Sequence, residues 1–120
     1  MTTNDKNKFE ALYQAEDWRA LGIAAKAHTK THPKDPIGFY YLAQYFRHQA
    51  ALDAPQKALT CLDKAFRLAP ADDIFYSFEL AKYLDELEQY ASSNLLFDSI
   101  LKAHPNHYDA KIALGYSSLY

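Results

Sequence analysis

His28 and His32 stand four residues apart, and His104 and His107 flank Pro105. Metal binding is therefore the first chemistry to weigh, because imidazoles at i and i+4 of a helix share a face and can share one ion. Neither pair has an evident third ligand. His28, His32 and His104 also fall near the C-terminal ends of expected helices, where the helix dipole favours partial positive charge. The expectation is structural histidines, with no metal and no cofactor. Cys61 is the only cysteine, so no internal disulfide is available, and the neighbouring Leu59 and Leu62 mark a packed thiol rather than a nucleophile. The chain has no Gly-rich phosphate loop, no nucleophile elbow and no carboxylate pair in an apolar setting. It is not expected to be an enzyme.

Composition narrows the class further. At 120 residues the chain suits a single domain, 1–120, with a core that needs no staple. With 49% hydrophobic and 23% charged residues it is expected to fold, and with only three glycines it favours helices over hairpins. The net charge of -2 comes without clustered Lys or Arg, so nucleic acid is not an expected partner. The polar start from Met1 to Lys8 lacks the apolar run of a signal peptide, and no stretch approaches the roughly 18 apolar residues of a membrane span. The expected location is cytoplasmic, with no membrane partner.

The chain repeats itself. Pro33, Pro70 and Pro105 are spaced by 37 and 35 residues. Ahead of them, at constant offsets, stand Leu21, Ala25 and His28, then Ala58, Leu62 and Ala65, then Ser93, Phe97 and Ile100. Four-then-three spacing is one face of a helix. After each proline comes a second face: Phe39, Leu42, Ala43 and Phe46; Ser77, Leu80, Ala81 and Leu84; Lys111, Leu114, Gly115 and Ser118. The small residues let paired helices approach to about 8–10 Å while the large ones fill the gaps. Asp35-Pro36 and Asn106 read as helix starts, and Asp72 or Asp73 as a cap. The pattern predicts helices at 5–15, 17–31, 36–49, 55–68, 72–86, 89–103 and 107–119. Trp18, opening the second of these, is expected to pack on Phe9, Leu12 and the next repeat.

A Leu-small pair, an Ala-x-x-x-large-x-x-Ala stripe and a closing proline together resemble the tetratricopeptide repeat family over nearly the whole chain. The units are about 4–33, 36–70 and 73–105, with a partial unit at 108–120. Departures are three extra residues between Gln49 and Pro55, one before Leu80, Ser77 and Lys111 in place of large aromatics, and His28 in place of a small residue. The resemblance implies an all-α fold, a right-handed superhelical stack of antiparallel helix pairs (an α-solenoid) of about three repeats plus one extra helix, with a concave inner surface. It also implies a protein-interaction module, a scaffold or adaptor that holds a peptide or helix of a partner. The groove residues carried over by phase are Tyr40, Gln44, Arg47 and His48, then Phe75, Phe78, Lys82 and Asp85, then Tyr116. Aromatics and Arg supply most interface energy, and charges set orientation. Tyr40 and Gln44 stand where a clamp for a C-terminal carboxylate would want Lys and Asn, so such tails are not the expected ligand.

The last unit has no second helix to cover Leu114 and Gly115. Two expectations follow: the segment is the N-terminal, noncatalytic regulatory or substrate-recruiting part of a longer enzyme or repeat protein, or it forms a homodimer through Leu119 and Tyr120.

Overall fold

The computed structural model describes residues 3–107, 109 and 110. Six α-helices lie among the described residues: α1 (Thr3–Gln14), α2 (Trp18–Thr31), α3 (Pro36–Arg47), α4 (Ala54–Leu68), α5 (Phe75–Glu86) and α6 (Tyr90–Ala103). The predicted borders hold to within three residues. Asp109 and Ala110 are helical, and the rest of the expected seventh helix, with Tyr116, Leu119 and Tyr120, lies outside the described residues.

Local chemistry sets the borders. Asp17 starts α2 by accepting the Ala20 amide at 3.2 Å, and Asp35 starts α3 by accepting the Ile37 amide at 3.1 Å, with Pro36 at the first position, where no amide is needed. Asp73 accepts the Phe75 amide at 3.1 Å. At the far end, the residue that takes the Ala110 amide is His107, through Nδ1 at 3.1 Å, rather than Asn106.

The turns recur as the sequence periodicity does. Between α1 and α2, the Asp17 amide reaches back to the Leu12 carbonyl and the Glu16 amide to that of Tyr13. Between α5 and α6, Gln89 reaches Leu84 and Glu88 reaches Asp85 in the same way. Glu16 and Glu88 take left-handed backbone at φ 56° and 64°, the conformation that closes a helix in this motif. The pairs His32-Pro33 and His104-Pro105 also match, each histidine amide bonding the carbonyl four residues back at 2.7 Å. The α3–α4 link is longer, as the extra residues there require.

Two compact units are present, Met1–Pro70 and Ala71–Tyr120. The division falls between the second and third expected repeats. In the first unit α1 packs on α2, α2 on α3 and α3 on α4. Its core gathers Phe9, Leu21, Ala25, Ile37 and Tyr41, with Leu12, Tyr13 and Trp18 against them. In the second unit α5 packs on α6 around Ala81, Phe97, Ile100 and Ala110.

Glycines set the α2–α3 approach. A Cβ on Gly22 would stand 2.6 Å from Tyr45 Cε1, and one on Gly38 would stand 2.9 Å from His28 Cδ2. Only bare backbone lets these rings lie on the opposing helix.

Trp18 is half-buried, with its ring edge-on to Tyr13 at 5.5 Å and stacked on His48 at 3.7 Å. The expected contact with the next repeat is therefore a stack on the last turn of α3. Full burial would put the cost of Trp18→Ala at about 3–5 kcal/mol; half-burial sets it near the lower end, about 3 kcal/mol. Urea unfolding monitored by circular dichroism measures it, and a loss below about 1 kcal/mol would remove Trp18 from the core.

Candidate functional site

The residues expected on a binding face divide between the two units. On α3, Tyr40, Gln44 and Arg47 recur at four- and three-residue steps, with His48 just beyond the helix end. Tyr40 is half-buried and packs against the core of its unit. Gln44 is 1% exposed: its Oε1 accepts from Arg47 Nη1 at 3.2 Å, while its Nε2 has no hydrogen-bond partner. A buried unpaired donor costs about 1–3 kcal/mol, so Gln44 is a packed residue that orients Arg47 rather than an open contact. His48 is exposed, and its Nδ1 lies 3.2 Å from the Gln44 carbonyl. Burial against Trp18 holds the His48 imidazole below its ordinary pKa, Arg47 adds to the effect, and Glu16 opposes it. The fold thus prefers neutral His48. The stability this brings is complete above the ordinary imidazole pKa of about 6.5 and is lost as pH falls through the lowered folded value.

On α5, Phe75, Phe78, Lys82 and Asp85 occupy one face, but they differ in surroundings. Phe75 is 45% exposed. Phe78 is a packing residue, 5.9 Å from the Phe97 ring and 4.9 Å from that of His107. Lys82 Nζ lies 5.0 Å over the Phe78 ring and 3.0 Å from Glu79 Oε2. Lys82 and Asp85 are exposed. Helical phase places these side chains on a face; covering by other residues decides which remain open.

His28, His32 and His107 make contacts within the fold. His28 is 6% exposed, with Nε2 3.0 Å from Asp35 Oδ2, its ring edge-on to Phe9 and stacked on His32 at 4.4 Å. His107 supports Phe78 and caps the segment that follows. Among the described residues no group of three or more His, Cys, Asp or Glu is placed to hold a metal ion.

Cys61 is partly buried, and burial pushes its thiol pKa up to about 11. Near pH 8 the thiolate is scarce, and the higher nucleophilicity of a more basic thiolate offsets only part of that loss. Alkylation of the native protein should be at least about tenfold slower than alkylation of the urea-unfolded chain. Equal rates would place Cys61 at the surface.

Periodicity missed a groove in the first unit, of about 470 Å³, lined from α2 by Arg19, Gly22, Ile23 and Lys26, from α3 and its end by Leu42, Tyr45, Phe46 and Gln49, and from α4 by Lys57. Its signal was available: Arg19, Ile23 and Lys26 at i, i+4 and i+7 form an outward stripe with an apolar centre.

No described helix is long and apolar enough to cross a membrane. Compared with known proteins, the chain matches no protein-family model and no curated protein to a significant degree.

Proposed function

We propose that this chain is a helical-repeat interaction module of the tetratricopeptide kind, whose helix pairs stack in a right-handed superhelix and hold a peptide or helix of a partner protein on the first helix of each pair. The reading is carried by one observation, the repetition of register at residue level. Leu21, Ala25 and His28 on α2, Ala58, Leu62 and Ala65 on α4, and Ser93, Phe97 and Ile100 on α6 are all buried at the same offsets from their prolines. Ala43 on α3 and Ala81 on α5 are likewise buried. A pair of helices repeated in this way turns the same stripe of its second helix inward each time, which is how repeat proteins build extended binding surfaces. On α3 Arg47 is half-buried and His48 beyond its end is exposed, and on α5 Lys82 and Asp85 are exposed beside the ring of Phe75. An arginine held by Gln44 and an exposed aromatic are the residue types that anchor protein partners.

The test is affinity capture from native lysate on the immobilised chain, with Arg47→Glu and Lys82→Glu prepared separately. Lys82 is exposed, so Lys82→Glu should melt with the parent, whereas Arg47 is half-buried and bonded to Gln44, so Arg47→Glu is compared at a temperature where circular dichroism shows it folded; each should reduce capture of a groove partner at least about tenfold. A partner held equally by parent and both variants would place binding away from α3 and α5.

A further inference from the structure

We propose that the groove between α2, α3 and α4 is a separate docking surface for an acidic amphipathic helix of a partner protein. An apolar side chain of that helix would rest on Ile23 and Tyr45, and its carboxylates would reach Arg19 and Lys26. The surface is independent of the α3 and α5 faces discussed above, since neither Arg47 nor Lys82 lines it.

Charge complementarity identifies the occupant. Arg19, Lys26 and Lys57 line the groove, and no carboxylate does, in a chain whose net charge is -2. Three cations outside the groove have acids one turn away, Arg67 with Asp63, Lys102 with Asp98 and Lys82 with Glu79. Lys57 is partly engaged, 3.2 Å from Asp53 and 5.7 Å over the Phe46 ring. Arg19 and Lys26 form no ion pair among the described residues, and the positions one turn from them within α2 are Gly22, Ile23, Thr29 and Lys30. No carboxylate lines the groove between them.

The floor between them is apolar. Ile23 is 65% exposed and shares the groove with Leu42, Tyr45 and Phe46, while Tyr45 lies on the bare backbone of Gly22. Gln49 Nε2 donates to the Tyr45 hydroxyl and holds the ring in position. Arg19 and Lys26 are seven residues apart on α2, which is two turns or about 10.5 Å. A partner helix carrying acids seven apart with an apolar residue between them repeats that spacing, so its apolar face fits the groove while its carboxylates meet both cations. A flat anionic lipid surface would meet the rim cations but could not bury itself against Tyr45 and Phe46 within a concave floor.

The probe is a fluorescein-labelled helical peptide of about 15 residues with Glu at two positions seven apart and Leu between them, titrated into the full chain by fluorescence anisotropy. A second peptide carries Lys for Glu. The acidic peptide should bind in the range of tens of micromolar, at least about tenfold tighter than the basic one, and should weaken as salt rises from about 50 to about 300 mM. Arg19→Glu/Lys26→Glu should abolish that preference and Ile23→Ala should reduce affinity several-fold, whereas Lys102→Glu, at an exposed cation of α6 in the other unit, should leave binding unchanged. Circular dichroism confirms the fold of each variant, and Arg19→Gln and Lys26→Gln singly replace the double reversal where it does not fold, each weakening binding at least about threefold. Equal affinity for the two peptides, indifference to the Arg19 and Lys26 substitutions, or capture by phosphatidylserine vesicles with no binding of the acidic peptide would each overturn the proposal.

Discussion

Leu62→Ala is expected to destabilise the protein by about 3–4 kcal/mol and to lower its melting temperature by about 10–15 °C. Leu62 is 0% exposed on α4, and Ala58 and Ala65 on the same face are buried with it. Truncation loses the transfer energy of the removed methyl groups and opens a hole that its small neighbours are poorly able to fill. Leu95→Ala on α6 is the control. Leu95 is 73% exposed, so the same chemical change should cost no more than about 0.5 kcal/mol. Thermal melts followed at 222 nm compare the two, and similar losses would contradict the repeat register on which the inward faces rest.

Asp35→Ala should cost about 2–4 kcal/mol, although the residue lies in a turn. One carboxylate serves two groups: Oδ1 accepts the Ile37 amide and starts α3, and Oδ2 meets His28 Nε2 at 3.0 Å. Removal takes away a helix cap, worth about 1 kcal/mol, and leaves the imidazole of a nearly buried histidine without its partner, a further 1–3 kcal/mol or so. Asp35→Asn retains an oxygen for the Ile37 amide and a polar group for His28, and should lose less than about 1 kcal/mol. Urea unfolding of the two variants gives the comparison, and exchange of the Ile37 amide reports the cap directly. If alanine and asparagine behaved alike, Asp35 would be acting only through its charge.

His28 shows where reading from sequence stops. In sequence it is a large residue in the slot that Ala65 fills in the next unit, four residues from another histidine, and metal binding or the helix dipole accounted for it. In three dimensions the turn after α2 brings Asp35 back to it, and Gly38 gives its ring room against α3. Neither fact follows from spacing within one helix. Gln44 and Phe78 teach the same lesson. Phase puts both on a binding face, yet one is buried beneath Arg47 and the other packs on Phe97 and His107. The basic groove escaped notice for a related reason: its cations come from two helices, and its floor exists only because Gly22 lets Tyr45 lie on α2.

Sequence alone determined that the described residues are helical, where each described helix starts and stops to within three residues, and which stripe turns inward on α2, α4, α5 and α6; on α3 the expected Phe39, Leu42 and Phe46 are half-buried, and Ile37, Tyr41 and Gln44 are buried with Ala43. Those properties depend on caps, prolines and a period of 3.6 residues, all of which act within one or two turns. Tertiary structure alone decided which outward residues stay open and which charges go unanswered. Exposure depends on how closely neighbouring helices approach, and that distance is set by pairs such as Gly22 with Tyr45 and Gly38 with His28, whose members lie on different helices and meet only once the chain has folded.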